Sequence, residues 1–174
     1  NKLEEQRYQT QGIVICPTRE LADQVADEIR RLARTSANVK VLTLCGGKPF
    51  GPQLASLQRA PHIVVGTPGR LLKHLEKESL TLANIDTLVL DEADRMLDMG
   101  FSEDISKIIS FIPERRQTLL FSATYPDEIE YISKSMQLDP VTIKVDSDFS
   151  AIQITQVFYK APKVDRVQIL VQVL

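Results

Sequence analysis

Asp91 and Glu92 stand side by side directly after the apolar run Leu88-Val89-Leu90. Adjacent carboxylates at the end of a buried strand suit phosphoryl chemistry on a nucleotide. The first can hold a hydrated magnesium ion, and the second can orient or deprotonate an attacking water. The same pair can also do no more than cap the helix that follows, because carboxylates stabilise a helix N-terminus. Four other short motifs stand in the same relation to an apolar run. Ile13-Val14-Ile15-Cys16 leads into Pro17-Thr18-Arg19-Glu20, and Leu42-Thr43-Leu44-Cys45 into Gly46-Gly47. Ile63-Val64-Val65-Gly66 leads into Thr67-Pro68-Gly69-Arg70, and Leu119-Leu120-Phe121 into Ser122-Ala123-Thr124. Glycines let backbone amides approach a phosphate, a Thr-Pro-Gly-Arg start exposes a helix N-terminus, and an arginine adds charge. Arg19 and Arg70 also fit as solvated or internally paired cations.

These motifs need a scaffold that brings five loops to one place. Short β-branched runs alternate with segments of helical period, the signature of an α/β protein with a mainly parallel sheet covered by helices on both faces. The expected strands are Gly12–Cys16, Val39–Leu44, His62–Gly66, Thr87–Asp91, Thr118–Phe121 and Val141–Val145. In such sheets functional groups gather at the carboxyl ends of the strands, so all five motifs share one rim. Leu21, Val25, Ile29 and Leu32 form the apolar stripe of a helix of about five turns, with Arg30, Arg31 and Arg34 near its C-terminal end. Phe101, Ile105, Ile108, Ile109 and Ile112 repeat the pattern after Gly100, which breaks the preceding helical turn. A shorter helix runs from Pro126 to Met136, with Asp127 and Glu128 at its positive end. Residues 1–11 read as an N-terminal tail and 12–146 as one domain. Residues 147–174 hold a polar linker, a strand over Ile154–Tyr159 and the apolar tail Val164 to Leu174.

The chain has 174 residues, 43% apolar and 25% charged, with 21 Lys+Arg against 23 Asp+Glu and a net charge of −2. That balance excludes a disordered chain and a uniformly basic nucleic-acid binder. No apolar run approaches about 18 residues, which excludes a membrane-spanning helix. The start Asn1-Lys2-Leu3-Glu4-Glu5-Gln6-Arg7 lacks the apolar core of a signal peptide, so a cytoplasmic location is expected. Cys16 and Cys45 each close an apolar run and read as buried free thiols. His62 and His74 have no carboxylate or thiol at ligand spacing, so a His- or Cys-based metal site is not expected.

The run Asp91-Glu92-Ala93-Asp94-Arg95-Met96-Leu97-Asp98-Met99-Gly100-Phe101, with the other four motifs in order, resembles the DEAD-box ATP-dependent RNA helicases. Within that family, the stretch Leu21 to Gly51 is most similar to the bacterial DbpA subgroup. The resemblance implies a RecA-like P-loop NTPase fold, with ATP and Mg2+ as cofactors. Asp91 would contact magnesium through water, Glu92 would be the base or water-positioning group, and Asp94 would hydrogen-bond toward Ser122 and Thr124. Pro17, Thr18, Arg19, Gly46, Gly47, Thr67, Gly69 and Arg70 match positions that hold the backbone of single-stranded or structured RNA. The subgroup points to large-subunit ribosomal RNA and ribosome biogenesis.

A nucleotide hydrolase of this kind needs a phosphate loop, G-x-x-x-x-G-K-[ST]. The one Gly-Lys pair, Gly47-Lys48, is followed by Pro49. The expectation is therefore a partial first helicase domain, without its N-terminal strand and phosphate loop, followed by the start of a second. Such a piece would be inactive alone and prone to dimerise through its C-terminal segment. A non-catalytic RNA-binding module or a dimerisation domain on a helicase scaffold remain the alternatives.

Overall fold

The computed structural model describes residues 3–36, 38–145, 157 and 171. Residues 1–140 form one compact unit and 141–174 a second. The first unit contains strands β1 (Gly12–Ile15), β2 (Val41–Leu44), β3 (Ile63–Gly66), β4 (Thr87–Leu90) and β5 (Gln117–Leu120). Helices α1 (Arg19–Leu32), α2 (Phe50–Leu57), α3 (Pro68–Glu76), α4 (Ala93–Asp98), α5 (Ser102–Ser110) and α6 (Asp127–Met136) complete it. The strands form one sheet in the order β2-β3-β1-β4-β5, and every pairing is parallel.

The strand period of two separates two cores. Ile13, Ile15, Leu88 and Leu90 face a large cluster with Leu71 and Leu75 of α3, Ile105 and Ile108 of α5, and Ile129 of α6. Val14, Cys16 and Val65 face the other side, where Ala22 and Ala26 of α1 cover them, with Leu21, Val25 and Ile29 packed around. The chain order explains this asymmetry. A right-handed crossover from β1 to β2 runs one way along the sheet, and all later crossovers run the other way, so α1 alone lies on its face. Over β4 and β5 that face is thinly covered: Leu119 is 38% exposed and Phe121 55%.

The five expected strands of this unit are present: four are trimmed by a residue or two at one end, and the fifth is shifted by one residue, to Gln117–Leu120. Helix α1 has 14 residues, just under four turns at about 3.6 residues per turn rather than five. It is shorter because the chain tightens after Leu32 into a 3-10 turn, Ala33–Thr35. Gly100 takes φ +79°, the left-handed conformation that ends a helix, immediately beyond α4. Pro126 is the N-cap of α6 rather than its first helical residue.

Val141–Val145 forms no strand, contrary to expectation. Val141, Ile143 and Val145 are exposed, and a β-branched run takes up strand structure only where a ladder and a packed face receive it. The strand expected over Ile154–Tyr159 and the apolar tail after Val164 lie, Val157 and Val171 apart, outside the described residues.

Candidate functional site

The ladders of the sheet run one residue past the strands. Cys16 N–H donates to Gly66 C=O at 3.0 Å, Thr67 N–H to Leu44 C=O at 3.1 Å, Asp91 N–H to Ile15 C=O at 3.0 Å and Phe121 N–H to Leu90 C=O at 2.9 Å. Each motif therefore starts at the same height, and all five loops stand on one rim.

At the β4–β5 end, Asp91 and Glu92 are both half-buried. Asp91 Oδ1 accepts the Glu92 N–H at 3.0 Å. Glu92 has φ +48° and ψ +53°, a left-handed conformation that a side-chain-bearing residue adopts only when its surroundings enforce it. The surroundings here are the start of α4, whose Ala93 N–H donates to Phe121 C=O at 3.0 Å. Glu92 Oε2 is 3.2 Å from Arg95 Nη1. Asp94 joins this loop to the next: its Oδ2 accepts the Thr124 N–H at 2.9 Å and the Thr124 hydroxyl at 2.8 Å. Its own N–H donates to Ser122 Oγ at 3.2 Å, and the Ser122 hydroxyl donates to Thr124 C=O at 2.7 Å. Burial pulls the Asp94 pKa upward, but the bonds from Thr124, Arg95 and Ser122 together outweigh it and hold the carboxyl below its usual value.

Asp91 brings one hard oxygen donor with little of its hydrogen-bonding capacity used, which fits a magnesium ion that takes its other ligands from phosphates and water.

At the β1–β3 end, Thr18 is the N-cap of α1, and its Oγ1 accepts the Leu21 N–H at 3.2 Å. Pro17 is buried at this loop's start. Arg19 is exposed, 3.2 Å from Glu20, and its Nη1 lies 3.3 Å from where a Cβ on Gly47 would stand. Gly47 also needs φ +76°, so a side chain there would be strained and would crowd the guanidinium. Gly46 N–H donates to Thr67 Oγ1 at 3.3 Å, tying the glycine pair to the N-cap of α3. Gly69 is exposed in the first turn of that helix. Arg70 points inward: Nη1 donates to Gln53 Oε1 and Nη2 to Lys48 C=O, both at 2.9 Å. The structure thus brings together Arg19, Gly46, Gly47 and Thr67, and shows Arg70 internally paired.

Gln53 and His74 were not among the sequence candidates. Each is a polar residue inside an apolar helical stripe, Gln53 with Phe50, Leu54 and Leu57, His74 with Leu71 and Leu75, and that is the signal the sequence offers. His62, also buried, accepts the Lys40 N–H at Nδ1 and pairs with Glu5 C=O at Nε2. Cys16 and Cys45 are buried free thiols. Burial, helped by Asp91, Cys45 and Glu92, pushes Cys16 up to about 12. No helix among the described residues is long and apolar enough to cross a membrane.

The family model for DEAD/DEAH box helicases matches residues 1–132. The chain is 57% identical to the ATP-dependent RNA helicase DbpA of Escherichia coli over 167 residues, 96% of this chain and 36% of that protein. It is 45% identical to the DEAD-box ATP-dependent RNA helicase CshA of Bacillus cereus over 91% of this chain and 30% of that protein. The crystal structure of a DEAD box protein from Methanococcus jannaschii superposes with a TM-score of 0.75 at 43% identity, over 79% of this chain and 37% of that one. The chain spans about a third of the length of these relatives.

Proposed function

The chain belongs to the DEAD/DEAH box helicase family, and on that premise we propose that its residues supply the hydrolytic carboxylates and part of the RNA cleft of an ATP-dependent RNA helicase. The observation that carries this reading is the Asp94 bridge, which ties the Asp91-Glu92 loop to the Ser122-Ala123-Thr124 loop. A carboxylate pair that merely capped a helix would have no reason to be built into the neighbouring strand's loop.

Magnesium, when bound, screens the phosphate charge and polarises the transferring phosphoryl group. Asp91 would hold that ion. Glu92 orients the attacking water and takes its proton, after its carboxylate leaves Arg95. Asp94 reports the state of this loop to Ser122 and Thr124. Arg19, the Gly46-Gly47 amides and the start of α3 around Thr67 and Gly69 meet the sugar-phosphate backbone of a single strand, with Pro17 and Thr18 shaping the loop beneath them. Such contacts select RNA by geometry and ribose hydroxyl rather than by base. The RNA class is large-subunit ribosomal RNA and the setting cytoplasmic ribosome biogenesis, as the likeness to DbpA suggests. The 174 residues contain no phosphate loop, so alone they bind RNA without turning over ATP, and the C-terminal segment after Ser150 favours a dimer.

The test is Glu92→Gln in the whole helicase. RNA-stimulated ATP hydrolysis should fall by at least about 100-fold, with nucleotide affinity retained. Loss of ATP binding, or unchanged turnover, would remove Glu92 from the role given to it.

A further inference from the structure

A buried polar cluster lies between the loop after β2 and the first turn of α3, and the chemistry above leaves it without a purpose. Gln53 is 7% exposed and His74 fully buried. Their hydrogen-bond roles follow from what their partners can do. A carbonyl only accepts and a guanidinium only donates. Gln53 must therefore give its Nε2 to Cys45 C=O, at 3.0 Å, and its Oε1 to Arg70 Nη1, at 2.9 Å. The same Oε1 stands 3.1 Å from His74 Nε2, which must then carry the hydrogen.

Burial, with the Arg70 and Lys73 cations, pushes His74 down to about 4, so the ring is neutral at pH 7. Its Nδ1 is then bare and accepts the Ser79 hydroxyl at 2.8 Å, a hydrogen that Ser79 shares with the His74 C=O at 3.0 Å. Phe50 stacks on the imidazole at 4.2 Å with 13° between the planes.

The result is a directed chain: Ser79 O–H to His74, His74 N–H to Gln53, Gln53 N–H to Cys45 C=O. Arg70 is fastened to its middle and reaches Lys48 C=O with its other arm. Cys45 and Lys48 flank the glycine pair on either side, so the Cys45 end of the Gly46-Gly47 loop is tied to α3 through the Gln53 amide and the Lys48 end directly through Arg70.

We propose that Gln53 is a positioning residue, backed by His74 and Ser79, that sets the distance between the Gly46-Gly47 amides and the N-terminus of α3, and so the spacing at which both meet the phosphates of one RNA strand. This rests on the RNA-binding reading above. Arg70 works in the same cluster, as a strut rather than a phosphate ligand.

The experiment uses the 174-residue chain, a fluorescein-labelled 20-mer of oligouridylate titrated over a range of salt, and amide hydrogen exchange. Gln53→Met should lower RNA affinity about tenfold and leave the slope of log K against log salt unchanged, because no phosphate contact is removed. Arg70→Ala added to Gln53→Met should cost less than a further twofold, since the two act as a unit. Arg19→Ala, which removes a phosphate ligand, should lower the slope by about 0.7. In Gln53→Met the amides of Gly46 and Thr67 should exchange at least tenfold faster while that of Val14 in β1 is unchanged. Should Gln53→Met fail to fold, Ser79→Ala at the outer end of the chain should give about a threefold loss with the same unchanged slope.

RNA binding by Gln53→Met within twofold of the unaltered chain, where Arg19→Ala weakens it, would overturn the proposal. So would a fall in slope for Gln53→Met, or unchanged exchange at Gly46 and Thr67. Accelerated exchange in Gln53→Met with no effect of Arg19→Ala on RNA would instead overturn the RNA-binding reading and leave the positioning role standing.

Discussion

The loops after β1, β2 and β3 and the loops after β4 and β5 share one rim but are held by different means. The first group rests on a cluster whose central groups, Gln53 and His74, are shut away from water. The second is joined by Asp94 and Thr124, which meet in the open, with Thr124 and Phe121 both exposed. A buried hydrogen bond is costly to break because its groups find no water in exchange, whereas an exposed one trades partners with solvent. One half of the rim is therefore a fixed platform, suited to gripping a backbone of set geometry. The other is a latch that can open and close, suited, on the proposed function, to a loop that responds to nucleotide.

The largest expected contrast is between variants of the two halves. Gln53→Leu leaves Cys45 C=O and His74 Nε2–H without partners and should cost about 2–6 kcal/mol, at about 1–3 for each orphaned buried group. Asp94→Asn should leave the urea midpoint almost unmoved and instead uncouple ATP hydrolysis from unwinding in the whole helicase. Equal losses of stability at the two sites would erase the distinction.

Acid should separate the halves next. His74 has a folded-state pKa of about 4 against an ordinary 6.5. Between those values the unfolded chain binds the extra proton, so the platform's contribution is complete above pH 6.5 and is lost as the pH falls toward 4. Asp94 is shifted below 3.8, so its contribution is present above the ordinary carboxylate value and is lost only as the pH falls through its lower folded value. Urea midpoints followed from pH 7 to 4.5 should decline, and the decline should flatten in His74→Gln. A slope that His74→Gln leaves intact would assign it to other groups.

The smallest effect is local to α1. Thr18→Ala removes the cap bond to Leu21 N–H and should cost about 1 kcal/mol, with RNA affinity falling only as far as the loop loosens. A larger fall in RNA affinity than in stability would make the Thr18 hydroxyl an RNA contact in its own right.

Much of this was legible in the sequence, for reasons that differ from place to place. Four strands of the first unit are short apolar runs with a Gly, Pro or Asp at or next to an end, the fifth is the run Thr118–Phe121, and each motif follows one of them, so the shared rim followed from the parallel order alone. Val141–Val145 has the same composition and forms no strand, because composition does not supply a partner. Arg70 reads in the sequence as an RNA contact, with internal pairing as an alternative, and only the fold brings Gln53 and the Lys48 carbonyl within its reach, 17 and 22 residues away. Gln53 itself was hidden in a helix whose other residues read as ordinary packing. Its partners come from two separate segments, the loop after β2 and helix α3, which no local pattern encodes.

Native-state hydrogen exchange of two amides on the rim tests the account most directly. Thr67 N–H, bonded to Leu44 C=O in the platform, should exchange only through large openings and respond steeply to added urea. Thr124 N–H, bonded to Asp94 Oδ2 in the latch, should exchange at least about 100-fold faster through local opening that urea barely changes. Matching protection and matching urea dependence at Thr67 and Thr124 would contradict the division into platform and latch.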